Sequence, residues 1–354
     1  MENSAFTSNL MKWYAFHKRD LPWRNIDDAY KIWLAEIIMQ QTRIQQGLPY
    51  YEKFIHRFPK ICELANAKED DVLRLWQGLG YYSRARNLHK CAKIICKRPG
   101  HDFPTEYTDL LKLPGIGPYT AAAISSMAFS KPHGVVDGNV QRVLARYMGI
   151  SENVAERSTQ KEIAKITNQL IDKNDPGGYN HAIMDLGATI CTPSNPNCQA
   201  CPVSDSCVAF EENLQNKLPI NKKEIRRSKR FLYYWILRYD NKMIFQKRDT
   251  KNIWKGLYEF YLIEKPQKIE PEESIDDFLI NLSVNDLTIS EIFEYKKHVL
   301  SHQDIYSFFI ILDLNLTQYE HIKLNYSYQF YSLDEILQLP KPILIDKFLR
   351  EKII

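Results

Sequence analysis

Hydrophobic residues recur at helical spacing from the start of the chain to about residue 212. Two segments show the pattern clearly, with apolar side chains three and four positions apart at Tyr30, Trp33, Leu34, Ile37 and Ile38 and again at Val72, Leu73, Leu75 and Trp76. Asp27 and Asp28 precede the first segment and are typical of a helix start. The pattern predicts a first domain that is helical almost throughout.

The residue composition changes after this helical part. The segment LPINKKEIRRSKR (218–230) is short, charged and without periodicity. Beyond it, β-branched and aromatic residues predict strands at 231–239, 243–248, 257–263 and 305–314, and helices are expected at 272–282 and 332–337. We therefore predict an all-α domain at 1–216, a basic linker at 217–230 and an α+β domain at 231–354.

Charge is distributed unevenly along the 354 residues. The net charge is +4 over residues 1–210, +4 over 211–230 and −4 over 231–354. The excess of basic residues over 1–230 is typical of a protein that binds a polyanion mainly through its first domain. A solvated linker with incidental lysines would give the same net charge over 211–230. No apolar run is long enough for a membrane span, and the polar start MENSAFTSNL resembles neither a secretory signal nor a transit peptide. We expect an intracellular protein of the cytoplasm or nucleoid.

Four cysteines lie on one short loop: Cys191, Cys198, Cys201 and Cys207. Six, two and five residues separate them, and interspersed prolines prevent a continuous helix. Four thiolates form a complete coordination set, and both zinc and a [4Fe–4S] cluster accept it. The remaining cysteines (Cys62, Cys91 and Cys96) are expected to be buried thiols, because seven is an odd number and no secretion signal is evident.

The segment TDLLKLPGIGPYTAAAISSMAF (108–129) predicts a helix, a glycine-containing turn and a second helix. Gly115 and Gly117 permit a tight turn whose backbone N–H groups point outward at the start of the second helix. Such a cluster of donors binds phosphate without reading sequence. The segment is therefore interpreted as a helix-hairpin-helix DNA clamp, with a simple helical hairpin as the alternative.

Two carboxylates are candidates for catalysis. Glu36 lies in WLAEIIMQQTR, where burial in an apolar helix would raise its pKa and make it a proton donor near neutrality. Asp137 lies in GVVDGNVQRVLAR at the mouth of a new helix, where a plain N-cap is the alternative. A capping aspartate stays ionised, so both interpretations hold together. A neutral acid beside an anionic carboxylate is suited to cleavage of a glycosidic bond.

The succession of helix-hairpin-helix, VDGNV and Cys-x6-Cys-x2-Cys-x5-Cys resembles the endonuclease III superfamily of DNA glycosylases. Within it the chain is most similar to the MutY family of adenine glycosylases. The stretches that carry the resemblance are LPWR (21–24), WLAEIIMQQTR (33–43), GLGYYSRARNL (78–88), LPGIGPYTA (113–121), VDGNVQRVLAR (136–146) and the cysteine loop. The resemblance implies a [4Fe–4S] cluster on the four cysteines and a Nudix-like second domain.

The resemblance also implies roles for individual residues. Glu36 matches the acid that protonates adenine, Asp137 matches the carboxylate that stabilises the sugar cation, and Tyr119 and Asn139 match residues that support this pair. Matches to residues that contact DNA or the lesion are found at Arg24, Gln41, Leu79 and Tyr81. Endonuclease III has a lysine in place of Tyr119, and a phenol cannot form the Schiff base that leads to strand cleavage. Base removal without lyase activity is therefore expected.

Three positions bear on how the base and the lesion are recognised. His181 lies where the family has Glu or Gln near the flipped adenine, and its protonation is expected to change near pH 6.5 unless it is an ordinary core histidine. KHVLSHQD (297–304) matches the loop that meets 8-oxoguanine, with Ser301 and His302 as its polar pair. The segment after WKGLYEF (254–260) lacks the glycine pair and the Arg-Glu start of a Nudix hydrolase box, so pyrophosphate hydrolysis is not expected.

The predicted protein is a monomeric, monofunctional adenine glycosylase that acts on double-stranded DNA with A opposite 8-oxoguanine or G. Three alternatives are an endonuclease III-like lyase for oxidised pyrimidines, a non-catalytic DNA-binding protein with a structural or redox-sensing cluster, and a zinc protein. Tyr119 and the second domain count against the first alternative, and the presence of both Glu36 and Asp137 counts against the second.

Overall fold

The computed structural model describes residues 2–222, 227–249, 253–274 and 289–354. The chain divides into two compact units. The first comprises Met1–Asn66 and Asn87–Lys223, and the second comprises Ala67–Arg86 and Glu224–Ile354. The sequence did not predict that residues 67–86 belong to the second unit. The predicted domain boundaries remain a prediction.

The first part of the chain is helical, as its periodicity predicted. Its helices are α1 (Glu2–His17), α2 (Ala29–Met39), α3 (Ile44–Arg57), α4 (Ile61–Asn66), α5 (Glu69–Leu75), α6 (Ser83–Cys96), α7 (Tyr107–Leu110), α8 (Pro118–Met127), α9 (Gly138–Met148), α10 (Arg157–Leu170), α11 (Pro176–Thr189) and α12 (Val208–Glu211). The core of the first unit is built from the apolar faces of α1, α8, α9, α10 and α11, and Cys191, Cys201 and Cys207 pack against it. None of the described helices is long and apolar enough to cross a membrane.

The second unit contains a mixed sheet. Its strands are β1 (Ser228–Tyr239), β2 (Lys242–Ile244), β5 (Tyr261–Lys265), β6 (Ile289–Val299), β7 (Gln303–Asp313) and β8 (Phe330–Ser332), and a separate pair is formed by β3 (Gln246–Lys247) and β4 (Tyr258–Glu259). Strand β1 runs parallel to β7 from the pair Ser228–Gln303 to the pair Arg238–Asp313. Helices α13 (Leu316–Asn325), α14 (Leu333–Gln338) and α15 (Ile343–Phe348) follow β7. The predicted strands are confirmed, and so is the helix at 332–337.

Strand β1 begins earlier than the apolar run predicted, inside the segment interpreted as a linker. Ser228, Lys229 and Arg230 are paired with residues at the start of β7, and Arg230 forms a bidentate ion pair with Glu264 of β5. The strand therefore continues into charged sequence because its backbone pairs with β7 and the charge of Arg230 is neutralised by Glu264. The predicted helix at 272–282 is described only at Pro271–Ser274, which forms a short 3₁₀ turn, and the rest lies outside the described residues.

One cysteine prediction is wrong. Cys62, in the first turn of α4, and Cys96, the last residue of α6, form a disulfide with their Cα atoms 5.2 Å apart. They are separated by 34 positions in sequence, and only the packing of the two helices brings them together. Cys91 is a buried thiol as expected, and burial raises its pKa to about 12.

Candidate active site

Asp137 caps the N-terminus of α9. Its Oδ1 atom accepts a hydrogen bond of 2.8 Å from the backbone N–H of Val140, and Oδ2 accepts one of 2.8 Å from the Asn139 amide. The first bond is the usual N-cap contact, and the second holds the carboxylate in one orientation. The N-cap interpretation is therefore correct, and the group is arranged as a fixed, hydrogen-bonded carboxylate.

Glu36 lies on the buried face of α2, where its residue is 7% exposed. Burial raises its pKa to about 7, and the negative charge of Asp137 acts in the same direction. The phenol of Tyr119 opposes this shift by donating a hydrogen bond of 2.7 Å to Glu36 Oε2, and the charge of Arg24 opposes it as well. Glu36 can therefore hold a proton near neutral pH, as the apolar pattern around it predicted.

Tyr119 is the residue that contacts Glu36 from α8. Burial raises the pKa of its phenol well above the ordinary value, and the nearby carboxylate of Glu36 raises it further. The hydroxyl is therefore protonated over the whole working pH range and can only act as a donor to the carboxylate. A second contact of 3.5 Å joins it to Met184 Sδ on α11. Three helices thus fix the position of the Glu36 carboxylate.

Arg24 forms a buried ion pair that was not predicted. Its Nη1 and Nη2 atoms each lie 2.6 Å from one oxygen of Asp185, and Arg19 Nε donates a further bond of 2.7 Å to the same carboxylate. The two arginines hold the pKa of Asp185 below its usual range despite burial. The sequence contained a signal for Asp185, because HAIMDLGA places an acid in an apolar helix just as WLAEIIMQQ does for Glu36.

His181 lies one turn before Asp185 on α11, and its predicted titration near pH 6.5 is wrong. Burial lowers its pKa to about 3, with a further contribution from the charge of Arg24. Nε2 is buried and has no hydrogen-bond partner among the described residues, so His181 is not an ordinary satisfied core histidine. The ring lines a cavity of about 630 Å³ together with Tyr14 and Lys18.

A chain of hydrogen bonds joins Asp137 to the cysteine loop. Arg142 Nε donates 2.7 Å to the carbonyl oxygen of Cys191, and Arg142 Nη2 donates 2.9 Å to Asn139 Oδ1. The Asn139 amide in turn donates to Asp137. Arg146, one turn later on α9, donates to Cys191 Sγ at 3.3 Å and to the carbonyl oxygen of Thr192 at 2.7 Å. The helix that Asp137 caps is thus bonded to the loop along two turns.

The four loop cysteines surround a common apolar space. Cys191, Cys198, Cys201 and Cys207 line it together with side chains such as Val143 and Leu186. Among the described cysteines, no three of these four sulfurs lie within 4.8 Å of one another, whereas tetrahedral zinc holds its sulfur ligands about 3.8 Å apart. As placed in this structure, the four sulfurs are not gathered at the distances of a single tetrahedral zinc ion.

Burial also acts on the loop thiols, and it raises the pKa of Cys201 to about 12. A bound metal centre would supply the positive charge that keeps such thiolates deprotonated.

The two helices and the glycine turn predicted for residues 108–129 are present. Helix α7 ends at Leu110, Gly115 adopts a left-handed conformation with φ +78°, and Gly117 caps the start of α8. A side chain at position 115 would be strained and would also place its Cβ 2.8 Å from the Cβ of Asn87. The helix–turn–helix prediction for this segment is confirmed.

The predicted DNA-contacting residues differ in exposure. Gln41 is exposed and has a left-handed backbone, and Tyr81 in the second unit has the same conformation with 46% of its surface exposed. Leu79, expected to stand beside Tyr81 at the surface, is buried. Its side chain packs inward, while the left-handed Gly80 turns the chain so that Tyr81 points outward.

The loop between β6 and β7 carries the predicted polar pair. Ser301 Oγ and the hydroxyl of Tyr81 are hydrogen-bonded to each other within the second unit. His302 is exposed, and its carbonyl oxygen accepts a bond of 3.1 Å from Ser228 N at the start of β1. The turn is closed by a bond of 2.8 Å from Leu300 N to the carbonyl oxygen of Gln303.

Comparisons with known proteins agree with this arrangement. Residues 34–169 match the family model described as HhH-GPD superfamily base excision DNA repair protein, 191–207 match the iron-sulfur binding domain of endonuclease III, and 232–351 match a NUDIX domain. A solved thermostable thymine-DNA glycosylase is 27% identical and covers 60% of this chain and 97% of its own length, with a TM-score of 0.54. A non-covalent endonuclease III–DNA complex shares the fold at 20% identity, 60% coverage of this chain and 97% of that one, and a TM-score of 0.51.

Fold and site define a base-excision DNA glycosylase of the helix-hairpin-helix class that binds DNA and carries one [4Fe–4S] cluster. The adenine DNA glycosylase of Buchnera aphidicola subsp. Acyrthosiphon pisum is 33% identical over 97% of both chains. That of Buchnera aphidicola subsp. Schizaphis graminum is 36% identical over 84% of this chain and 86% of its own. The mouse adenine DNA glycosylase is 41% identical over 61% of this chain and 44% of its own. The chain belongs to the adenine DNA glycosylase family, which confirms the predicted resemblance.

Proposed function

We propose that this chain is a monomeric, monofunctional glycosylase that removes adenine opposite 8-oxoguanine or G from cellular double-stranded DNA. The observation that carries the proposal is the pair formed by Glu36 and Asp137. Glu36 holds a proton near pH 7, and Asp137 caps α9 and accepts hydrogen bonds from the backbone N–H of Val140 and the amide of Asn139. The choice of adenine as the base that is removed rests on the relatives, which are named adenine DNA glycosylase.

In the proposed reaction, Glu36 gives its proton to the flipped adenine, so that the base leaves as a neutral molecule when the N-glycosidic bond breaks. Asp137 stabilises the positive charge that develops on the sugar, and water then completes the hydrolysis to an abasic site. Asn139 and Tyr119 hold these two carboxyl groups in place. A tyrosine at position 119 offers no amine for a Schiff base, which supports hydrolysis without strand cleavage.

Other residues are proposed to bind the DNA. The N–H groups of the turn containing Gly115 and Gly117 would hold a phosphate at the start of α8. Arg24, with Asp185 behind it, and His181 would line the pocket of the flipped base. Gln41 and Tyr81 would act around the opposing base, and their exposure suits insertion between bases.

Two loops complete the proposal. Ser301, bonded to Tyr81, and its neighbour His302 would contact the 8-oxoguanine opposite the adenine. The [4Fe–4S] cluster would be held by Cys191, Cys198, Cys201 and Cys207. It would supply a rigid cross-link for the loop, through which Arg142 and Arg146 fix helix α9.

The test is a single-turnover cleavage assay on end-labelled duplexes that contain A:8-oxoguanine, A:G, A:T or thymine glycol:A, each with and without hot alkali. Product from A:8-oxoguanine only after alkali is expected. Cleavage of the thymine glycol strand without alkali would identify an endonuclease III-type lyase instead. In the same assay Glu36→Gln should abolish cleavage and retain lesion binding, whereas Glu52→Gln, an exposed glutamate on α3, should behave as wild type.

The role of the loop at 297–304 is tested with the same substrates. The double variant Ser301→Ala, His302→Ala should reduce the preference for A:8-oxoguanine over A:G while leaving Glu36 chemistry intact. A preference equal to that of the wild type would remove this loop from the proposal.

A further inference from the structure

A second group of metal-binding side chains lies in the first unit, outside the proposed active site. Cys62 Sγ, Cys96 Sγ and a ring nitrogen of His101 all lie within 4.8 Å of one another. No other group of three or more His, Cys, Asp or Glu ligand atoms this close occurs among the described residues. The two cysteines are half-buried and His101 is exposed, so the group is open to solvent on one side.

Local structure accounts for the convergence. Cys62 lies in the first turn of α4, and Cys96 is the last residue of α6. The chain then turns through Pro99–His101, where Gly100 has φ +70° and His101 has φ +59°. Two consecutive left-handed residues reverse the chain and bring the imidazole back to the end of the helix it has just left. The backbone N–H of His101 bonds to the carbonyl oxygen of Arg98 at 3.1 Å, which fixes the turn.

We infer that Cys62, Cys96 and His101 form a binding site for one zinc ion when the two cysteines are reduced. Two thiolates and an imidazole are a ligand set that zinc uses, with water in the fourth position. Zinc places such ligand atoms about 3.3–3.8 Å apart, and in this structure the three already lie within 4.8 Å of one another. The two thiolate charges balance the charge of the ion.

The disulfide and the metal site are alternative states of the same two cysteines. Zinc binding to the reduced form releases two thiol protons. Oxidation by a peroxide would transfer two electrons from the bound thiolates to the peroxide, form the sulfur–sulfur bond and release Zn²⁺ and two hydroxide ions. The inference is independent of the proposed glycosylase function, because it concerns ligands that take no part in that chemistry.

The site has a defined place in the chain. Cys62 and Cys96 both belong to the first unit and flank residues 67–86, which belong to the second unit. In either state the site closes the stretch of chain that contains Tyr81. A bound zinc ion would therefore constrain the two ends of this stretch in a reducing environment, where a disulfide does not persist.

The test uses the full chain with its iron–sulfur cluster, reduced with a phosphine that does not bind zinc. Zinc is titrated against a chromophoric chelator, and iron and zinc are measured on the same samples. We expect one zinc ion per chain in addition to the four irons. His101→Ala removes a proposed ligand at an exposed position. It should weaken zinc binding more than about tenfold, because even the loss of a residue that only supports a ligand costs about that much.

The double variant Cys62→Ser, Cys96→Ser should bind no zinc at this site, and Cys91→Ser, a thiol buried in the same helix α6, should bind as wild type. One equivalent of peroxide should release the zinc and produce the Cys62–Cys96 peptide disulfide in a digest. The inference is overturned if the reduced wild type takes up no additional zinc, if the disulfide stays closed under the phosphine, or if the double serine variant or His101→Ala binds zinc as tightly as wild type.

Discussion

The hydrogen bond from Tyr119 to Glu36 can be deleted by removing one oxygen atom, and its loss should shift the pH dependence of the reaction rate. Tyr119→Phe deletes the hydroxyl that donates 2.7 Å to Glu36 Oε2 and keeps the ring that packs between α2 and α11. This bond stabilises the ionised carboxylate and therefore holds the pKa of Glu36 down. Without it, burial and the charge of Asp137 act with less opposition, and the pKa rises above about 7.

The size of the shift follows from the energy of the bond. A hydrogen bond to a charged group contributes about 1.5–3 kcal/mol. One pKa unit corresponds to about 1.4 kcal/mol, so the pKa of Glu36 should rise by about one to two units. A general acid works only while it is protonated, and its contribution is lost as the pH rises through its pKa. The alkaline limb of the cleavage rate should therefore move to higher pH by the same amount.

The assay is single-turnover cleavage of adenine opposite 8-oxoguanine at saturating enzyme, followed from about pH 5.5 to 9.5. The maximal rate of Tyr119→Phe will fall if Glu36 is less well oriented, but the position of the limb is independent of that plateau. Tyr107→Phe is the matched control, because its ring stacks on His133 and it is not among the groups that act on Glu36. A limb that stays in place, or one that moves to lower pH, would refute the assignment of Glu36 as the acid.

Three further predictions concern the groups around this pair. Glu36→Gln should raise the free energy of unfolding by on the order of 3 kcal/mol at pH 8.5 and hardly at pH 4, because the wild type loses that stability as the pH rises from 4.5 to about 7. Urea titrations at both pH values can check this. Arg142→Met should lower single-turnover cleavage about 10- to 100-fold with unchanged iron content, since Asp137 loses its indirect support; a normal rate would show that the support is dispensable. Asp185→Asn should destabilise the fold by about 3–5 kcal/mol by leaving Arg24 unpaired, and the double variant with Arg24→Met should recover part of the loss in chemical denaturation.

The elements that the sequence predicted well are those whose signal is local. Residues 231–237 are all buried and form a continuous apolar run, so their strand can be predicted without any knowledge of its partners. Glu36 is recognisable because burying an ionised acid in an apolar helix costs free energy unless the acid is paired or hydrogen-bonded. The cysteine loop is recognisable because all four ligands fall within one short segment.

The features that were missed depend on contacts between distant parts of the chain. Arg24 and Asp185 are 161 positions apart, and neither sequence context indicates that their charges neutralise each other. Cys62 and Cys96 are joined by the packing of α4 against the end of α6, which no spacing rule predicts. The parallel pairing of β1 with β7 extends β1 into charged residues, since the register is set by the partner strand and not by local hydrophobicity.

His181 shows how such a contact changes the chemistry expected of a residue. Its sequence suggests a group that titrates near pH 6.5, but burial and the charge of Arg24 lower its pKa to about 3. It is therefore a neutral imidazole, with one donor and one acceptor nitrogen, over the whole range of the cleavage assay. In this respect it is comparable to the Gln of the family and not to the Glu. The buried charge of Arg24 is balanced by Asp185 instead. Because His181 does not change its charge in that range, the alkaline limb of the profile can be assigned to Glu36 without a correction for the histidine.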